Sequence, residues 1–91
     1  MIARKYYISG RVQGVGFRYF VKRKADFYGI AGWVKNLPDG RVEVFAQGDP
    51  LVLDEFEKEL WKGPSLSRVD DIEIYEVEPT LNTYSFEIKF W

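Results

Sequence analysis

Between residues 6 and 12 the chain alternates Tyr6, Ile8, Gly10 and Val12 with Tyr7, Ser9 and Arg11, the period of a strand with one face on a core. After Gln13-Gly14-Val15-Gly16 the period changes. Phe17, Phe20, Val21, Ala25 and Tyr28 recur at helical spacing with Lys22, Arg23 and Asp26 between them, which predicts an amphipathic helix from Phe17 to Tyr28, ended by Gly29. Residues 30–36 and 41–47 read as two strands joined by the turn Leu37-Pro38-Asp39-Gly40. Asp49 can accept from the free amides of a following first turn and Pro50 suits its first position, so a second helix starts there, with Leu53, Phe56 and Leu60 on one face and Gly63-Pro64 closing it. Two further alternating segments follow, 69–77 and 84–90, the latter with Tyr84, Phe86, Ile88 and Phe90 on one side.

The order β-α-β-β-α-β-β, with right-handed crossovers around a central hairpin, predicts an α+β fold. It is a ferredoxin-like split β-α-β sandwich: an antiparallel sheet with both helices on one face. We expect a single domain over residues 1–91, without repeat or linker, because one core is the rule at this length. Apolar residues at 46% and aromatics at 18% supply that core. That architecture hosts binding modules, regulatory domains and enzymes alike, so function has to come from a site.

Charge and residue types narrow the chemistry. Thirteen basic against fourteen acidic residues give a net charge of −1, so no global positive field gathers nucleic acid or an anionic membrane, and any anion site is local. The absence of cysteine and histidine removes thiolate catalysis, the commonest general base and the commonest metal ligand. No apolar stretch resembles a signal h-region or a membrane span, and we expect a cytoplasmic monomer with no cofactor or metal.

The two helix starts differ. The second has Asp49, whereas the first follows Gln13-Gly14-Val15-Gly16, which offers no Ser, Thr, Asp or Asn as a cap. Its amides are left available, two glycines let backbone approach a ligand closely, and the helix dipole favours an anion there. Arg18 in the first turn opposes the dipole by about 0.3–1 kcal/mol, which a bound dianion would offset, and its fork can grip two phosphate oxygens. On the short glycine pattern alone the plainer reading, a tight turn and a solvated arginine, is favoured. Asn36 is the second candidate. The first two strands run parallel with the third between them, so the loop after Val12 and the strand end at Asn36 share one sheet edge, about 10 Å apart. Asn36 shares parity with Val34 and points to the first helix's start if Val34 faces the helices. It serves equally as the residue that initiates the Leu-Pro-Asp-Gly turn.

Gly10-Arg11-Val12-Gln13-Gly14-Val15-Gly16-Phe17-Arg18, followed by Gly32-Trp33-Val34-Lys35-Asn36-Leu37-Pro38-Asp39-Gly40, resembles the two signature segments of the acylphosphatase family. The likeness of order and length extends over essentially the whole chain. It implies hydrolysis of the carboxyl-phosphate bond of acyl phosphates to a carboxylate and inorganic phosphate, without a metal. It further implies that Arg18 and the amides of Gln13, Gly14, Val15, Gly16 and Phe17 hold the phosphoryl group while Asn36 orients the attacking water. A chain without histidine suits such a reaction, since the carboxylate leaving group needs no general acid and a loose transition state asks for positioning and charge stabilisation.

Other features read as structural. Asp39 belongs to the turn, Asp70 and Asp71 to solvent, Lys22-Arg23-Lys24 to a solvated face, and Phe17, Phe20, Phe56, Phe86 and Phe90 to the core. Trp33 either walls the acyl part of a substrate or packs. Two competing functions are a sheet that stacks single-stranded bases and a regulatory domain that binds phosphate without turnover. Strand 41–46 lacks the paired aromatic platform of the first. Against the second, we expect no larger enzyme attached beyond Trp91.

Overall fold

The computed structural model describes residues 1–80 and 82–90. Its elements are β1 (Ile2–Arg11), α1 (Phe17–Tyr28), β2 (Ala31–Asn36), β3 (Val42–Gly48), α2 (Pro50–Lys62), β4 (Arg68–Val77) and β5 (Phe86–Lys89). They form a sheet in the order β4-β1-β3-β2-β5. β3 thus separates β1 from β2 and pairs antiparallel with both, Tyr6 opposite Val44 and Asn36 opposite Val42.

The sheet is mixed, not antiparallel throughout. β4 runs antiparallel along the free edge of β1, and the chain then reverses and crosses to the far edge, so β5 arrives in the direction of β2 and pairs with it in parallel. Both helices cover one face. Tyr6, Ile8, Val34, Val42, Val44, Ile72 and Phe86 meet Phe17, Phe20, Val21 and Ala25 of α1 and Leu53, Phe56 and Leu60 of α2 in one buried cluster. Each large apolar side chain so buried contributes about 1.5–3 kcal/mol before the entropy of ordering the chain is subtracted.

β1 begins four residues earlier than the alternation from Tyr6 predicts. The residue that hid this is Arg4, a cation on the helix-facing side of β1. Its Nη1 donates to Asp54 at 2.8 Å and to Glu57 at 3.1 Å, so α2 supplies the counter-charges that let it sit there. β5 is shorter than its pattern predicts. Tyr84 and Phe90 share parity with buried Phe86 yet are exposed, because they lie beyond the ends of a four-residue edge strand. Phe90 therefore leaves the expected core list.

Candidate active site

Each helix start follows its sequence. Asp49 accepts from the Leu51 amide at 2.9 Å, which satisfies α2. α1 has no side-chain cap. Gly16 holds the N-cap position at φ 78°, a left-handed conformation that glycine adopts without the penalty of a Cβ, and Gly14 before it has φ 74°. The first helical bond runs from the Phe20 amide to the Gly16 carbonyl, leaving the amides of Phe17, Arg18 and Tyr19 outside the ladder. Successive free amides at a dipole's positive end form an anion site.

Next to this start is a cleft of about 110 Å³ lined by Val12, Gly14, Gly16, Phe17, Arg18, Tyr19 and Asn36. No acidic side chain lines it. At about 30 Å³ per water it admits a group of a few heavy atoms, the size of a phosphoryl group, and leaves a larger substituent outside. Asn36 is the last residue of β2 and, like Val34, faces the helix layer. Its Oδ1 is buried without a hydrogen-bond partner among the described residues. A buried amide oxygen in that condition costs about 1–3 kcal/mol unless something else meets it. Arg18 is half-buried, its Nη1 donating to the Lys89 carbonyl at 3.3 Å and its guanidinium 4.6 Å from the centre of the Phe90 ring. A wider concavity of about 480 Å³ on the open sheet face, lined by Lys5, Tyr7, Arg41, Glu73, Tyr75 and Val77, contains none of these residues.

A comparison of the sequence with family models finds acylphosphatase, matching residues 4–88. The chain belongs to the acylphosphatase family. Acylphosphatase from Archaeoglobus fulgidus is 50% identical over 90 residues, covering 99% of this chain and all of that one. Its counterpart in Koribacter versatilis is 51% identical over 86 residues, 94% of this chain and 78% of the relative. Among solved structures, the crystal structure of acylphosphatase from Bacillus subtilis superposes with a TM-score of 0.94 at 43% identity, covering 98% and 99% of the two chains.

Within this acylphosphatase fold Gly14, Gly16, Phe17, Arg18 and Asn36 meet in the cleft. Gln13 and Val15 do not line it. The Val15 side chain packs on the core, and the Gln13 amide reaches sideways to the β2–β3 turn, Nε2 donating to the Leu37 carbonyl at 2.8 Å and the Arg41 carbonyl at 3.0 Å. Neither side chain is part of the cleft wall. Trp33 also lies elsewhere: it stacks on Phe45 at 6.0 Å on the open sheet face, with the ammonium groups of Lys5, Lys35 and Lys89 around it. Phe90 and Tyr19 are the aromatics that the sequence reading did not assign to the site. Both are exposed, and only the position of Phe90 beyond the last core residue of β5 hinted at it.

Asp39 has a structural task. Its carboxylate accepts from the Arg41 amide at 3.0 Å and from Arg41 Nε at 2.8 Å, and these bonds hold it below the usual carboxylate range. The turn is thus closed without help from Asn36. Midway along β1, burial and the Glu57 carboxylate push the Tyr6 phenol well above its ordinary value, and its hydroxyl lies beside Arg4 and Glu57 without a hydrogen bond of full geometry.

Proposed function

We propose that this chain hydrolyses acyl phosphates to a carboxylate and inorganic phosphate, with the phosphoryl group on Arg18 and the amides of the Gln13–Phe17 loop and the attacking water on Asn36. The observation that carries this reading is the buried, unpartnered Oδ1 of Asn36 in the same cleft as an uncapped helix start and an arginine. An amide oxygen so placed can accept one proton of a water and turn that water's lone pair toward the phosphorus.

The water attacks phosphorus, the bond from phosphorus to the acyl oxygen breaks, the carboxylate leaves with the electron pair, and the water's two protons stay on the released phosphate as dihydrogen phosphate before exchanging with solvent. Negative charge on the equatorial oxygens meets the guanidinium and the amides, fixed in place before the reaction, which is where electrostatic stabilisation is largest. A carboxylate is a good leaving group at neutral pH, so the absence of an acidic side chain from the cleft wall is no obstacle. The small cleft suits a phosphoryl group and leaves the acyl portion outside, which supports tolerance of different acyl groups.

Gly14, Gly16, Arg18 and Asn36 line a single cleft, and we take the enzyme to act as a monomer. No described helix is long and apolar enough to cross a membrane, in keeping with a cytoplasmic enzyme. The test is hydrolysis of a simple aryl acyl phosphate in buffer containing a chelator, followed by release of inorganic phosphate. Turnover that Arg18→Ala abolishes supports the reading. Phosphate binding without turnover would instead make the chain a phosphate-recognition domain.

A further inference from the structure

Gln13 sits in the loop between β1 and α1, whereas Leu37 and Arg41 flank the turn between β2 and β3, and β1 and β2 are not neighbours in the sheet. The turn closes itself: the Leu37 amide donates to the Arg41 carbonyl at 2.8 Å, the Gly40 amide to the Leu37 carbonyl at 3.2 Å, and Asp39 holds Arg41. The two bonds from Gln13 Nε2 therefore add nothing that turn closure requires. They use both hydrogens of the amide nitrogen and take the second acceptor position of each carbonyl, tying the loop across the start of β3 to the residue that follows Asn36.

Asn36 has no such fixing of its own. Its backbone is paired with Val42, but its Oδ1 meets no described protein group, so its placement relative to the α1 amides depends on what holds β2's end against the loop. We propose that Gln13 is a positioning residue that sets Asn36 against the phosphate cradle by clamping the β2–β3 turn to the loop before α1. This inference rests on the reading above, that Asn36 orients the attacking water.

The test compares kcat, KM and the inhibition constant of inorganic phosphate in Gln13→Met, Asn36→Ala and the double variant. Methionine keeps the length of glutamine and removes both donors. Gln13→Met is expected to lower kcat about tenfold, the scale of a small misplacement, with the phosphate constant moving less than about twofold. In the Asn36→Ala background the same change is expected to lower kcat by less than about twofold, because the group it positions is already gone. A merely structural residue would act alike in both backgrounds. An equal fall in both, an unchanged kcat in the single variant, or a phosphate constant that weakens in step with kcat overturns the proposal while leaving the function reading standing. A normal kcat in Asn36→Ala overturns both. Gln13→Asn, which keeps the amide but is one methylene too short, carries the same expectations if Gln13→Met does not fold.

Discussion

The guanidinium of Arg18 lies 4.6 Å from the centre of the Phe90 ring while its Nη1 donates to the Lys89 carbonyl, so the end of the last strand holds the arginine proposed to grip the phosphoryl group. Such a stack at an exposed site is worth about 0.5–1 kcal/mol. Because Arg18 would grip the phosphoryl group alike in substrate and transition state, Phe90→Ala should raise KM about two- to fivefold with kcat little changed. Phe90 is exposed, so the melting temperature should stay within the scatter of surface substitutions. Steady-state kinetics with an unchanged KM would show that the ring does not pre-place the guanidinium.

Arg18→Ala should remove most activity and most phosphate affinity together. Its effect on folding combines two small opposing changes: a cation leaves the start of α1, which relieves about 0.3–1 kcal/mol, and the contacts with Phe90 and Lys89 are lost. Thermal melts should therefore barely move. Arg18→Lys should fail nearly as badly in turnover, since an ammonium lacks the fork that spans two phosphate oxygens. Full activity in the lysine variant would reduce the role of Arg18 to charge alone.

Inorganic phosphate should inhibit competitively and raise the melting temperature of the wild-type chain. At a hundredfold excess over Kd the stabilisation is about 2.7 kcal/mol. For a domain of this size that corresponds to a rise of about 10–20 °C, at roughly 4–8 °C per kcal/mol. The rise should vanish in Arg18→Ala. Calorimetry showing the same rise in both proteins would move the phosphate site away from this cleft.

The pattern of the chain foretold α1 and its approximate ends, because Phe17, Val21 and Ala25 recur on one face and glycines bound the helix at both ends. It also placed Asn36 on the helix face, since parity with Val34 fixes the side on which a strand residue projects. What it could not carry were choices made between distant segments. The parallel pairing of β5 leaves no mark on a strand whose alternation is the same in either direction. Arg4 broke the apolar period of β1, and only Asp54 and Glu57, some fifty residues on, explain its place. The sequence marks Gln13 only through its backbone amide in the proposed cradle. Its side chain goes to two backbone carbonyls, and a carbonyl has no residue type by which a sequence could announce it.

The buried Tyr6 phenol should couple stability to alkaline pH more strongly than the raised phenols of Tyr7 and Tyr75. The Tyr6 phenol stays protonated in the folded chain where an unfolded chain would ionise, near pH 10. Below that pH both states hold the proton and the contribution is complete. As pH rises toward the folded value the unfolded state binds fewer protons, so stability falls. Tyr6→Phe removes this linkage and also removes a buried hydroxyl without a hydrogen bond of full geometry. Denaturant midpoints should be equal or higher for the variant at pH 7, and should decline less between pH 9 and 11. A variant that declines as steeply as wild type would assign the alkaline loss to another group.

Asn36 separates chemistry from architecture. If its amide orients the attacking water, the interaction belongs mainly to the transition state, so Asn36→Ala should lower kcat by about two orders of magnitude, roughly 3 kcal/mol, with KM and phosphate inhibition nearly unchanged. If it served instead to initiate the turn, its loss should cost about 0.5–2 kcal/mol of stability and spare turnover. The turn, however, is closed by backbone bonds at Leu37 and Gly40 and by Asp39, and the Asn36 Oδ1 takes no part in it. The alanine variant should therefore melt at or slightly above the wild-type temperature, since a buried oxygen without a partner is removed. Asn36→Asp refines the test. A carboxylate there can still accept a proton from water, but it puts a like charge beside the incoming phosphoryl oxygens. It should therefore raise KM and the phosphate inhibition constant, where alanine leaves both alone. Measuring kcat, KM and melting temperature on the two variants decides the matter: normal turnover with a lowered melting temperature in Asn36→Ala would remove Asn36 from the reaction and leave Arg18 and the loop amides to act without it.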